Sequence, residues 1–153
     1  MQKAYYIINK YSKFIEVRGE DSKNFLQGLI TNDINNCIDN KIIYSCLLSP
    51  QGKFFADFFI FRKNKNYIVE IHEKYLENFI NKINIYKLRS NVEFIEIKNL
   101  TSIILENKEI KFSDDSFFLF QDPRNSKIGF KLFLSNDSIN FNTLKIFRKL
   151  NYD

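Results

Sequence analysis

The order of apolar and polar positions divides the chain into short strands and a few helices. Apolar residues that alternate with polar ones predict strands, and apolar residues that recur every three or four positions predict helices. Predicted strands cover residues 13–18, 42–48, 53–62, 67–72, 91–98, 100–105, 116–120 and 128–134. One predicted helix starts at Asp21 or Ser22 and runs through Ile30, a second covers residues 74–88, and an amphipathic helix capped by Ser138 closes the chain.

Three consecutive strands between residues 42 and 72 are separated only by the short turns 49–52 and 64–66. Short connections favour antiparallel pairing of neighbours, so we expect a three-stranded meander with the 74–88 helix packed on it. Helices set between such strands indicate an α+β fold of antiparallel sheets with packed helices.

Strand 53–62 carries one residue that conflicts with a purely structural interpretation. Strict alternation places Asp57 on the same face as Phe55, Phe59 and Phe61. A carboxylate among aromatic rings is costly unless a partner satisfies it. It either pairs with an arginine or with backbone amides inside the fold, or it lines a pocket for a cationic or NH-rich ligand. A pterin ring offers such donors and a flat apolar face, so it would suit the second alternative.

Composition changes how the charge is interpreted. The 153 residues include 23 Lys+Arg against 18 Asp+Glu, which gives a net charge of +5. Lysine, asparagine, isoleucine and phenylalanine, all encoded by AT-rich codons, are heavily used, so we attribute the charge to genome bias and expect no nucleic-acid partner. No apolar run reaches the roughly 20 residues of a membrane helix, and the N-terminus has no signal-peptide core. We therefore expect a cytoplasmic protein with no membrane partner.

Cysteine and histidine are too few for most site chemistry. Cys37 and Cys46 are the only cysteines and His72 is the only histidine, so these residue types cannot build a four-ligand zinc site. His72 lies in no known nucleophile motif. We expect no metal, no catalytic residue and two reduced thiols.

Two polar clusters end the predicted helices. Asn32 and Asp33 follow the first helix, where a role in the turn competes with ligand binding. Tyr86, Lys87 and Arg89 close the second helix, where cations also interact favourably with the helix dipole. Their spacing alone does not decide between these roles.

Four segments together resemble a known family. Residues 25–33 read FLQGLITND, residues 48–58 read LSPQGKFFADF, residues 86–92 contain YKLR followed by Val92, and residues 122–131 contain DPR and IGFK. In this order they resemble the folate-binding YgfZ-type proteins, whose corresponding blocks are FLQGLxTND, LxPQGRxxxDF, YKLRxxV and DPR…LGxR. Any one block alone would be weak evidence.

The resemblance implies the N-terminal part of the GcvT-like fold, the fold of the aminomethyltransferase (T-protein) of the glycine cleavage system. It implies a tetrahydrofolate site at the centre of a ring of three domains. By the matching blocks, the cofactor-binding residues would be Asn32, Asp33, Asp57, Tyr86, Lys87 and Arg89. It also implies an accessory role in the assembly or repair of iron–sulfur enzymes and in linked tRNA modification, with folate and iron–sulfur client enzymes as partners.

Two departures from the family change the expected activity. T-proteins carry paired acids where this chain has Ala56 and Asp57, so the resemblance favours a binding function over aminomethyl transfer, which stays the alternative. The family also continues beyond Asp153 with a cysteine segment and a C-terminal barrel. We therefore expect residues 1–135 to be the GcvT/YgfZ-like folate-binding region and residues 136–153 to begin a truncated remainder.

An incomplete chain has consequences for ligands and partners. We expect weak folate binding and no transferase activity from the chain by itself, with self-association or a second chain supplying the missing half. A basic module that contacts tRNA and a non-functional remnant of a split gene are further alternatives. Salt-sensitive RNA binding would favour the basic module.

Overall fold

The computed structural model describes residues 5–106, 117–138 and 148–149. Residues 11–98 form one compact unit, and the described residues of 1–10 and 99–153 form another. No helix within these described ranges is long and apolar enough to cross a membrane.

The unit of residues 11–98 is built on a five-stranded antiparallel sheet. Its strands are β2 (Ser12–Arg18), β3 (Ile43–Leu48), β4 (Phe54–Lys63), β5 (Asn66–His72) and β6 (Glu93–Ile97). The spatial order is β3-β4-β5-β2-β6. The consecutive pairings of β3 with β4 and of β4 with β5 confirm the predicted meander.

Two helices belong to this unit, and their apolar residues share one core with one face of the sheet. Helix α1 (Ser22–Gln27) is shorter than predicted, because Gly28 follows it and Ile30 forms an antiparallel bridge with Leu47 of β3. Helix α2 (Glu73–Lys87) agrees with the prediction to within one residue at each end. Its N-cap is His72, whose ring nitrogen Nδ1 accepts a hydrogen bond from the amide of Lys74.

The core of this unit follows from alternation in the strands and helical spacing in the helices. Its members include Ile15, Val17, Leu26, Ala56, Phe58, Ile60, Val69, Phe79 and Ile83. Each is almost fully buried, so the sheet residues at every second position point toward the helices.

One irregularity in β4 corrects the predicted faces. Leu47 pairs with Ala56, but Leu48 pairs with Phe54, so Phe55 is an extra residue in a β-bulge. Phe55 packs against the core beneath the helices. Strict alternation was therefore wrong for Phe55, which does not share a face with Asp57.

The other unit contains a second five-stranded sheet. Its strands are β1 (Tyr5–Asn9), β7 (Leu100–Leu105), β8 (Phe117–Gln121), β9 (Phe130–Ser135) and β10 (Arg148–Lys149), in the order β10-β1-β7-β9-β8. Among the described residues of this unit, only the β1–β10 pairing is parallel. The sequence pattern did not predict β1, whose residues YYIIN form a continuous apolar run rather than an alternating one.

Strand β9 begins later than predicted, because Ser126–Ile128 form a short 3₁₀ helix that ends at Gly129. Gly129 has a φ of +103°, and a Cβ atom there would lie 2.1 Å from the carbonyl oxygen of Leu105. Only glycine fits this close approach.

The predicted C-terminal helix falls largely on residues 139–147, which lie outside the described residues. Asn136–Ser138 form a single 3₁₀ turn, and Arg148–Lys149 form strand β10 rather than helix.

Candidate functional site

Asp57 lies on the face of the sheet opposite to the two helices. Its neighbour Ala56 is in the core, and its partner across the ladder is Cys46 of β3. The hydroxyl of Tyr44 donates a hydrogen bond of 2.6 Å to Asp57 Oδ2. Within the described part of the chain no other hydrogen bond reaches this half-buried carboxylate, so it retains capacity to accept one from a ligand.

Aromatic rings lie next to this carboxylate. The centroids of the Tyr44 and Phe59 rings are 5.1 Å apart with an interplanar angle of 51°. Phe59 is two residues beyond Asp57 in β4 and faces the same way. The arrangement combines a negative charge with flat apolar surface, which is what an NH-rich planar ligand would require.

Asn32 reaches the same site through the edge strand β3. Its side-chain amide donates to the carbonyl oxygen of Tyr44 at 2.9 Å, and its backbone amide donates to Ser45 Oγ at 3.0 Å. Tyr44 thus links the two predicted site residues, because Asn32 holds its backbone and its hydroxyl reaches Asp57.

Asp33 is engaged within its own turn. Its Oδ1 accepts hydrogen bonds from the backbone amide of Asn35 at 2.9 Å and from the side-chain amide of Asn35 at 2.8 Å. It caps the short 3₁₀ helix Ile34–Asn36. The geometry therefore gives Asp33 a local structural role, and a role in ligand binding stays a prediction.

The end of α2 lies on the other face of the sheet. Tyr86 packs against the core beneath the helices, Lys87 lines a groove beside β6, and Arg89 lines an open groove beside α1. The structure does not bring these three side chains to Asp57. Their predicted part in cofactor binding stays a prediction.

The sequence pattern did not place Tyr44 or Cys46 beside Asp57, although both lie next to it in the fold. Burial raises the pKa of the Cys46 thiol above its ordinary value, and the negative charge of Asp57 raises it further. A hydrogen bond with Thr31 acts in the opposite direction. Alternation within residues 43–48 puts both side chains on one face, but only the register with β4 places them beside Asp57.

Both cysteines are free. Cys37 is buried, and burial raises its pKa to about 12 although the charge of Arg62 opposes this. The described residues contain no group of three or more His, Cys, Asp or Glu side chains that could hold a metal ion.

The DPR segment forms an ion pair in the unit that contains β9. Arg124 donates to Asp122 through Nε at 3.0 Å and through Nη2 at 2.7 Å. Burial by itself raises the pKa of the Asp122 carboxyl, but the hydrogen bonds and charge of Arg124 outweigh it and leave the pKa below its ordinary value. The ion pair therefore gives the DPR segment a structural role within its own unit.

The fold and the site define a class of protein. The family model of the GCVT N-terminal domain matches residues 8–105, which is more than half of the chain and includes the whole 11–98 unit. The chain belongs to this family. The antiparallel sheets and packed helices are therefore those of the N-terminal GcvT-like fold, as the resemblance implied.

Curated relatives carry two kinds of name. The chain is 26% identical over 151 residues to an aminomethyltransferase of Alkaliphilus oremlandii (strain OhILAs), covering 82% of this chain and 41% of that protein. It is also 26% identical over 137 residues to the mitochondrial iron-sulfur cluster assembly factor IBA57 homolog of Mycosarcoma maydis, covering 79% of this chain and 34% of that protein. The chain thus spans about two fifths or less of these relatives.

A solved structure agrees with the fold. The glycine cleavage system aminomethyltransferase T from Bartonella henselae superposes with a TM-score of 0.78 at 13% sequence identity. The match covers 97% of this chain and 48% of that chain. At this identity the likeness shows the fold alone.

Proposed function

We propose that this chain binds a reduced folate beside Asp57 and serves as part of an accessory protein for the assembly or repair of iron–sulfur enzymes. Relatives named as iron–sulfur cluster assembly factors support the second half of this proposal. The proposal follows the YgfZ-type branch, with a cytoplasmic location and tRNA-modifying iron–sulfur enzymes among the clients. A second chain or a second copy would supply further walls of the site.

The observation that carries the proposal is the presence of one acid rather than two. Asp57 is half-buried and keeps capacity to accept a hydrogen bond, whereas Ala56 is fully buried in the core opposite Leu47. A second carboxylate at position 56 would be buried among apolar side chains without solvation. A single acid suits recognition of N–H groups. The second acid of the pair that T-proteins carry is missing from this chain.

The residues present fit a pterin ring. Asp57 would accept hydrogen bonds from the N–H groups of the pterin, and the rings of Tyr44 and Phe59 offer apolar surface to its flat face. Tyr44 holds the carboxylate through a hydrogen bond to Oδ2, which leaves Oδ1 for the ligand. Bound reduced folate would supply the capacity to carry one-carbon units.

Folate binding can be tested by nuclear magnetic resonance on the isotope-labelled full chain titrated with folinic acid, a stable reduced folate. We expect shift changes clustered at Tyr44, Cys46 and Asp57, and their loss in Asp57→Asn. Asp39→Asn is the matched control, because Asp39 is an exposed acid outside the site. Equal shifts in Asp57→Asn, or shifts confined to residues 86–89, would contradict the proposed site.

Aminomethyl transfer is the second candidate, since relatives named aminomethyltransferase match most of this chain. A transfer assay with a lipoyl carrier protein and tetrahydrofolate decides between the two. We expect no turnover, because the second acid is missing.

A further inference from the structure

Four rings form a continuous cluster at the N-terminal end of α2. Tyr11 stacks on His72 with centroids 5.4 Å apart and planes inclined by 13°. Tyr75 meets His72 at 6.4 Å and Phe54 at 5.9 Å, in both cases edge to face. We call Tyr11, His72, Tyr75 and Phe54 the aromatic ladder.

The two ends of the aromatic ladder are exposed to solvent. Tyr11 and Phe54 are each 56% exposed, whereas Phe58 and Phe79 in the core of the same unit are almost fully buried. Scattered apolar residues on a surface are ordinary, but contiguous apolar surface indicates a binding site. Filling the core therefore does not account for Tyr11 and Phe54, whereas Tyr75 also packs against the core.

Backbone hydrogen bonds fix the aromatic ladder in place. The amide of Glu73 donates to the carbonyl oxygen of Tyr11 at 2.8 Å, and the amide of Lys74 donates to His72 Nδ1 at 3.1 Å. The first turn of α2 thus holds the backbone of Tyr11 and the ring of His72 before any ligand arrives. Such preorganisation lowers the entropy cost of binding.

Cations accompany the rings. Lys74 Nζ lies 4.6 Å from the centroid of the Tyr75 ring, and Lys53 directly precedes Phe54 in the chain. Within the described residues neither lysine forms an ion pair. The nearby carboxylate of Glu73 is paired with Lys13 instead, with 3.9 Å between Glu73 Oε2 and Lys13 Nζ. The aromatic ladder therefore favours an anionic partner.

We propose that the aromatic ladder binds single-stranded nucleic acid without reading its sequence. Unpaired bases would stack on the exposed faces of Tyr11 and Phe54, and phosphates would lie near Lys53 and Lys74. A duplex has no free base faces to offer, and an uncharged proline-rich peptide would leave the lysines unused. This proposal departs from the expectation, based on composition, that nucleic acid is no partner. The aromatic ladder shares no residue with the Asp57 site, so the test of nucleic-acid binding is independent of the test of folate binding.

The test is fluorescence anisotropy of a labelled oligouridylate of about 12 nucleotides with the full chain. We expect a dissociation constant in the range of about 1–100 µM at low salt, weakening as salt rises from about 50 to 200 mM. Phe54→Leu and Tyr11→Leu should each weaken binding by roughly fivefold to a hundredfold, because each removes one stacking partner.

Matched variants separate stacking from charge. Phe54→Tyr keeps a ring and should keep the affinity, and Ile85→Ala removes an exposed apolar side chain outside the aromatic ladder. Lys74→Gln should reduce the salt slope by about 0.7, the value for one phosphate of a single strand. Melting curves check that each variant is folded.

Four results would overturn the proposal. The first is no binding at low salt, the second is unchanged affinity in both Phe54→Leu and Tyr11→Leu, and the third is equally tight binding of a duplex of the same length. Binding of a proline-rich peptide with no binding of the oligouridylate would also overturn it.

Discussion

Two side chains on neighbouring strands, Asp57 and Cys46, influence each other at the scale of single residues. They face each other across the β3–β4 ladder, and the charge of Asp57 is one cause of the raised pKa of the Cys46 thiol. Tyr44 donates to the same carboxylate. The thiol therefore reports on the charge at the proposed folate site.

Replacing Asp57 by Asn should make Cys46 more reactive. The negative charge raises the thiol pKa, so removing it lowers that pKa and increases the thiolate fraction at any pH below it. Asparagine can still accept the hydrogen bond from Tyr44. We expect faster alkylation of Cys46 by iodoacetamide in Asp57→Asn between about pH 7 and pH 10, measured by mass spectrometry of the peptide.

Cys37 provides the internal control, because burial raises its pKa to about 12 and should keep it unreactive in both proteins. Asp39→Asn should leave the Cys46 rate unchanged. An alkylation rate that stays the same or falls in Asp57→Asn would show that Asp57 has no influence on the thiol.

Helix α2 ends in a strained turn, a feature that belongs to the scale of the element. Leu88 has φ 44° and ψ −112°, and the amide of Ser90 donates to the carbonyl oxygen of Lys87 at 2.8 Å. This backbone conformation suits glycine and is costly for leucine, by about 1–3 kcal/mol. The side chain is 87% exposed, so burial offsets little of that cost.

Leu88→Gly should therefore stabilise the protein by about 1 kcal/mol, since relief of strain exceeds the roughly 0.5–1 kcal/mol that glycine's freedom costs in the unfolded chain. The measurement is the free energy of unfolding in urea. Ile85→Gly is the matched control, because Ile85 is also exposed but lies inside α2, where glycine should cost about 0.5 kcal/mol. A loss of stability in Leu88→Gly would mean that the turn is not strained.

At the scale of the whole molecule, the part of its relatives' length that this chain covers affects how tightly it can bind a ligand. It spans 41% of the aminomethyltransferase and 34% of the cluster assembly factor described above. The resemblance implies a ligand site with walls from more than one domain, and affinity in such a pocket depends on how much of the ligand leaves water.

We expect the full chain by itself to bind tetrahydrofolate with a millimolar constant or too weakly to detect by isothermal titration. Leaving about 150 Å² of apolar surface exposed costs about 4 kcal/mol at ~25 cal/mol per Å², or several hundredfold in affinity. A low-micromolar constant for the monomer would show that these residues hold the whole site.

Much of the fold was readable from the sequence, because burial on one face imposes a period that survives in the residue pattern. Strand β3 alternates, the turns on either side of β4 are short, and α2 has helical spacing, so the meander and its helix were predicted although β4 and β5 are buried on both faces. Four matching blocks also indicated a GcvT-like protein, and the family model confirms the resemblance at that level without distinguishing the YgfZ type.

The features of the fold and of the site that the sequence did not predict depend on contacts between residues that are distant in sequence. The apolar run of β1 has no alternation to reveal it, and α1 ends early because Ile30 bridges to Leu47. The bulge that turns Phe55 away from Asp57 arises from the pairing of β4 with β3. Alternation could place Asp57 on one face of the sheet. Only the folded register brought Tyr44 and Cys46 to Asp57 and separated Asp57 from the end of α2. The reason is that local periodicity carries no information about which strands pair or in what register.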